Sequence, residues 1–193
     1  MIHQISQKIT DFLIFKGIIE QEDSEIYVYG YETFISGIID FFLIITIGVF
    51  LKCPFNAFIF FMMFVSIRLY TGGYHADTYV KCKITMILIL LIVLGLSLIE
   101  FPFYTISLLM ILLSITVYFQ APIENKNKPL DEMEKKKYHR ISMILSLLWG
   151  IIAIMIYFFS INISVTISST AFFITMLMIV EIYRKEEKKN EKE

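Results

Sequence analysis

The chain has 193 residues and a net charge of −1, with 57% apolar and only 18% charged residues, and its mean hydropathy is +0.71. The length suits one domain, but the composition excludes an ordinary soluble one. Charge is confined to short clusters between apolar blocks, most of them near or above the length that crosses a hydrocarbon core of roughly 30 Å. The expected architecture is an all-α polytopic membrane protein, residues 1–193 forming a single integral-membrane domain.

In chain order, Ile2, Ile5, Ile9, Phe12, Phe15 and Ile19 recur at steps of three and four, with Gln4, Gln7, Lys8 and Asp11 off that stripe. This predicts an N-terminal amphipathic helix within residues 1–22, either packed on the rest of the protein or lying in the headgroup plane. Apolar and polar residues alternate there, so no cleavable signal is expected and the first span itself has to direct insertion. An acidic knot, Glu20 to Glu25, comes next, and a first span is expected from about Thr33 to Leu51. It contains Asp40, a carboxylate costly enough inside a membrane to need a partner helix or an interface.

Lys52-Cys53-Pro54 ends that helix, because proline disfavours helical geometry in the residue before it. The apolar run from Phe55 to Leu69 is short for a perpendicular crossing and could also enter and turn back. Further spans are expected at Ile84 to Ile99, Phe103 to Phe119, Ile141 to Phe159 and Ile163 to Tyr183, with a solvated charged tail over 184–193. Residues 120–140 form the longest polar connection, with six Lys or Arg against four Asp or Glu. The basic residues gather at Lys81 and Lys83, in the 120–140 loop and in the tail, and two spans separate each neighbouring pair. By the positive-inside bias, about six transmembrane helices with both termini cytoplasmic satisfy that pattern.

The stretch from Arg68 to Cys82, RLYTGGYHADTYVKC, is a polar interruption between apolar runs. It sets a histidine seven residues before a cysteine, just after a turn that holds two glycines. A thiol, an imidazole and a break in the helix are the parts of a nucleophilic site. Cysteine attacks as the thiolate, and a free thiol with a pKa of about 8.5 is mostly protonated near neutrality. Lys81 and Lys83 flank Cys82, and Asp77 or Thr78 could cap a helix that places Cys82 in its first turns, where the dipole favours an anion. On a straight helix, residues seven apart lie about 10.5 Å apart along the axis. His75 can therefore serve Cys82 as a base only if the chain breaks and folds back between them. Cys53 has no such neighbours and reads as structural; His3 and His139 read as solvated polar groups. With only two cysteines and no CxxC pair, neither a disulfide framework nor a redox couple is implied. The sequence carries no zinc-type spacing, phosphate-binding glycine loop or nucleic-acid signature, so no metal, cofactor or nucleic acid is expected.

Arg68, Gly73, His75 and Cys82, followed by Ala121-Pro122 and Lys126-Asn127-Lys128-Pro129, resemble the motifs of the accessory gene regulator B family, bacterial membrane cysteine endopeptidases. The resemblance implies that the chain cleaves an AgrD-type quorum-sensing propeptide. The signal's carbonyl would be retained as a thioester and the peptide closed into a thiolactone or lactone. Carried over, Cys82 is the nucleophile and His75 the base and later the acid. Arg68 and Gly73 support the site through contact with a substrate carboxylate and through backbone geometry; Lys126 and Lys128 lie in the loop that could attract an acidic propeptide tail. The resemblance also implies a homodimer in the bacterial cell membrane. The competing class is a non-enzymatic transporter or scaffold using Asp40, Arg68 and His75 as pathway or helix-pairing groups.

Overall fold

The computed structural model describes residues 2–72, 79–124 and 130–190. Every regular element among them is helical: α1 (Ile2–Phe15), α2 (Ser24–Phe50), α3 (Pro54–Thr71), α4 (Tyr79–Leu96), α5 (Phe103–Gln120), α6 (Glu132–Tyr157) and α7 (Ile161–Asn190). The chain divides into two compact units, Met1–Thr46 and Ile47–Glu193.

In the first unit, Gly17 ends α1 at φ 68, and the Ile18 amide bonds back to the Leu13 carbonyl at 3.0 Å. That left-handed cap costs glycine nothing. The stripe expected on α1 is split. Ser6 and Thr10 are the buried residues, whereas Ile5, Phe12 and Phe15 face outward. Outward phenylalanines suit hydrocarbon better than water. His3 is not simply solvated: its Nδ1 lies 2.6 Å from Oε1 of Glu32, a carboxylate that is itself buried and requires a partner. Asp40 is partly buried on α2.

In the second unit, the first turn of α3 closes onto the end of α2. Lys52 takes a left-handed φ of 60, and the Cys53 amide reaches the Gly48 carbonyl at 2.8 Å. Pro54 then begins α3, where its missing N–H costs nothing. The segment expected to be short is a continuous helix of 18 residues, about 27 Å long at roughly 1.5 Å per residue. α7 packs against α3, α4, α5 and α6. From Ser164 to Ala171 it is buried all round, and Ser164, Thr166, Ser168, Thr170 and Ala171 in that stretch are small and fully buried. Such small residues let helices approach closely where lipid removes the hydrophobic drive to associate. α5 offers Ile106, Met110, Leu113 and Val117 at steps of four, three and four to that core.

Polar side chains tie the helices at depth. Trp149 donates to the Ser66 hydroxyl at 3.1 Å, Asn56 to the Thr166 hydroxyl at 2.8 Å, and Ser164 to the Ala153 carbonyl at 2.8 Å. Bonds of this kind contribute on average about 0.6 kcal/mol each in a membrane. Large apolar residues cover the outside, among them Leu88, Leu108, Ile111, Leu147 and Ile151. Among the described residues, five helices are long and apolar enough to cross a bilayer: Gln21–Phe50, Pro54–Thr71, Phe103–Gln120, Glu132–Tyr157 and Ile161–Glu187. The expected count of six also requires α4, which is not among those five.

Two boundaries differ from expectation for local reasons. The 120–140 connection is not a loop throughout, because α6 begins at Glu132. Asp131 accepts from the Glu134 amide at 2.6 Å, and Glu134 accepts from the Asp131 amide at 3.2 Å, a reciprocal cap that starts the helix ahead of its apolar part. The 184–193 tail likewise continues α7 as helix up to Asn190.

Candidate functional site

α3 sets the two cysteines apart. Cys53 precedes its first residue, in the turn from α2, and Cys82 lies just beyond its other end, fourth in α4. Cys53 is partly buried, and burial pushes its thiol up, away from the reactive thiolate. Cys82 is exposed. Its place in the first turn of α4 is the one at which free amide groups favour an anion.

The elements around Cys82 are pinned together at one end of the unit. The C-terminal turn of α3 carries Arg68, Thr71 and Gly72. The Ile123 amide donates to the Thr71 carbonyl at 2.8 Å, and Gly72 and Ile123 form a parallel bridge. Gly72 has φ 68 and ψ −145, a conformation restricted almost entirely to glycine. A Cβ there would sit 2.2 Å from the Ile123 carbonyl oxygen. His139 Nδ1 lies 2.9 Å from the Ala121 carbonyl, so this histidine is not a solvated group but a clamp on the segment after α5. Lys135 bridges Glu124 at 3.0 Å, and its hydrogen bond holds the Glu124 carboxyl below the usual carboxylate range. Lys185 of α7 donates to the Glu124 carbonyl. The rings of Tyr70 and Tyr138 meet edge to face at 5.4 Å. Thus the ends of α3, α5 and α7 and the starts of α4 and α6 share one charged rim. At the other end of the unit, Asn56 reaches toward the start of α7 and Phe103 packs on Tyr157.

Arg68 stands between this rim and the thiol. It is partly buried, its guanidinium lies 5.4 Å from the centre of the Phe64 ring, and Cys82 and Glu181 are among its electrostatic neighbours. Of the residues expected to form the site, the structure brings Arg68 and Cys82 together. Gly73, His75, Lys126 and Lys128 lie outside the described residues, as do the expected helix caps Asp77 and Thr78. Glu181 was missed by sequence reasoning. The available signal was a carboxylate at the end of the last apolar run, of the kind that singled out Asp40.

A chain with this many long apolar helices packed against one another belongs to the class of polytopic membrane proteins. The family model for accessory gene regulator B matches residues 6–182, and the chain belongs to that family. It is 27% identical over 147 residues to a protein of Clostridium perfringens (strain SM101 / Type A) provisionally named AgrB-like, covering 71% of this chain and 68% of that one. No solved structure matches the chain. Family membership associates the chain with quorum-sensing peptide processing at a membrane and with an AgrD-type propeptide as its partner.

Proposed function

We propose that this protein is a membrane cysteine endopeptidase that cleaves a quorum-sensing propeptide and holds the signal portion as a thioester on Cys82. The single observation that carries the reading is the placement of Cys82: exposed, in the first turn of α4, with Arg68 as an electrostatic neighbour. In this mechanism His75 takes the thiol proton and the thiolate attacks the scissile carbonyl. His75 then returns the proton to the departing amine. His75 then takes the proton of an internal thiol or hydroxyl of the peptide, which attacks the thioester and closes the ring as Cys82 departs as the thiolate. Exchange between thioesters is nearly thermoneutral, so water must be kept from the acyl-enzyme, a condition that a site at the membrane rim favours. Arg68 and Gly72-Gly73 shape the site, and Lys126 and Lys128 draw the propeptide's acidic tail. The enzyme acts as a homodimer. His75→Ala should slow both propeptide cleavage and Cys82 alkylation near neutral pH, by roughly 100-fold for cleavage if general acid–base catalysis is lost. Unchanged cleavage would remove His75 from the mechanism.

The proposed topology has six crossings, α2 to α7, with both termini, Cys82 and the 120–140 segment cytoplasmic. It is supported by the single rim that carries Lys135, Lys185 and Cys82 together. A cysteine introduced at Lys136 should be labelled by a membrane-impermeant maleimide only after the cells are opened. Labelling in intact cells would invert the topology.

A further inference from the structure

We infer that the groove between α5 and α6 holds an acyl chain of an anionic phospholipid whose phosphate is met by Lys136 and Arg140. The inference does not depend on the reading of Cys82 and goes beyond it by assigning a lipid site.

The groove runs along the outside of the α5–α6 pair and has a volume of about 380 Å³. Its floor lies where side chains are short, at Ser114 of α5 and Gly150 of α6. The two helices approach closely there, because a Cβ on Gly150 would come within 3.9 Å of Met110. Ile111 and Ile115 stand on one side and Leu147 and Ile151 on the other, all exposed. The hydroxyls of Ser107 and Ser114 donate to the Phe103 and Met110 carbonyls of their own helix at 3.0 and 3.1 Å, so they bring no unsatisfied donor into the groove. Such a lining suits a hydrocarbon chain.

Apolar lining alone does not select an occupant, because lipid tails are as apolar as leucine. The selection comes from charge at one end. On α6, Lys136, Arg140, Ile144, Leu147, Ile151 and Ile154 follow at steps of four, four, three, four and three, which puts the two cations on the line of the groove. Arg140 lies two turns before Leu147, about 10.5 Å along the axis. Both cations are exposed, and neither joins an ion pair among the described residues. The other charges of this stretch are placed differently. Lys135 bridges Glu124 and Glu132 at 3.0 Å each, Glu134 is held in the cap of α6, and Lys137 flanks the line of the groove.

Tyr118 and Phe119 end α5 at the level of these cations. Both are exposed, and the Tyr118 ring lies 6.1 Å from the ring of His139, the residue before Arg140. Exposed aromatic residues at the end of a span mark the headgroup region. A chain lying in the groove therefore sets its phosphate beside Arg140 and Lys136, and basic sites between membrane helices take anionic headgroups. A second copy of this chain is the other occupant of suitable shape. A twofold pair joined through this face would bring Lys136 and Arg140 of both copies to one level, like charge against like.

In the test, full-length protein in detergent is titrated with phosphatidylglycerol or phosphatidylcholine. Retained lipid is counted by native mass spectrometry, which also reads the oligomeric state. Phosphatidylglycerol should be preferred by about 25-fold, at about 5-fold for each cation near a charged headgroup. Lys136→Gln and Arg140→Gln should each lower its retention by about 5-fold and leave phosphatidylcholine unchanged. Gly150→Leu, which fills the floor, should lower retention of both lipids by the same factor. Lys52→Gln, an exposed cation in the turn between α2 and α3, should change nothing. The proposal is overturned if phosphatidylglycerol is not preferred, if Lys52→Gln costs as much as Arg140→Gln, or if folded Gly150→Leu retains both lipids as before. It is also overturned if the groove and cation variants break up a dimer without changing the lipid bound, which would make the groove an interface between copies. Should Gly150→Leu fail to fold, the two exposed cation variants decide between these outcomes.

Discussion

Cys82→Ala and Cys82→Ser should abolish propeptide cleavage, by a factor of roughly 10⁴ or more as expected for the loss of a nucleophile, while Cys53→Ala should retain most of it. The two thiols differ in everything that governs reactivity. Cys82 is exposed, opens α4 and has the Arg68 cation as a neighbour. Cys53 sits between α2 and α3, at the far end of an 18-residue helix, where burial pushes its thiol up, away from the thiolate. Serine keeps the size of the side chain but ionises far less readily than a thiol, so it tests the thiolate rather than the shape. The assay is conversion of purified propeptide by membranes free of other proteases, read by mass spectrometry. Equal losses in the Cys53 and Cys82 variants would point to a structural role for both.

The second large effect is expected at Gly72, where Gly72→Ala should lower cleavage about 10- to 100-fold. An alanine at φ 68 and ψ −145 is strained by about 1–3 kcal/mol, and each 1.4 kcal/mol expressed at the site is a factor of ten in rate. The new Cβ would also meet the Ile123 carbonyl oxygen at 2.2 Å, and backbone cannot turn aside as a flexible side chain can. The relief available is to break the bridge between Gly72 and Ile123, which unpins the end of α3 from the segment after α5. Gly95→Ala is the control. Gly95 lies within α4, an added Cβ there meets nothing within 4 Å, and alanine favours helix. It should leave cleavage and expression unchanged. If Gly72→Ala is as active as Gly95→Ala, the bridge does not shape the site.

The glycine requirement itself was legible, since a paired glycine ahead of a histidine announces a turn; the position was not. Sequence expectation placed the geometric demand on Gly73, whereas the described demand falls on Gly72, set by its close approach to Ile123, 51 positions later in the chain. No local pattern carries such a long-range contact. The spans were legible for the opposite reason: α3, α5 and α7 announce themselves through continuous apolar composition, a property of the segment alone. Their ends were less so. The capping box at Asp131 extends α6 well ahead of its apolar part, and hydropathy does not register that kind of bond. The α1 stripe was legible as a pattern, but periodicity alone left open whether it faces protein or headgroups; Ile5, Phe12 and Phe15 face outward from their unit. His3 is exposed as expected, but its Glu32 partner, like the Ala121 carbonyl that holds His139, lies on another element and leaves no local signal. Cys82 was legible through its motif, and its electrostatic link to Arg68 was less so, because it depends on how α3 and α4 sit against each other. Glu181 required packing of α7 on both.

The most direct measurement is of the covalent intermediate. Protein in nanodiscs is mixed with a propeptide whose internal ring-closing residue has been replaced by alanine, so that the acyl-enzyme cannot be discharged by cyclisation. The mixture is quenched in acid and digested, and the Cys82 peptide is weighed. The account predicts an adduct with the mass of the signal portion on Cys82, removed by neutral hydroxylamine as a thioester is, and absent from the Cys82→Ser protein. Cleaved propeptide with no adduct on Cys82, or an adduct that Cys82→Ser still forms, would contradict it.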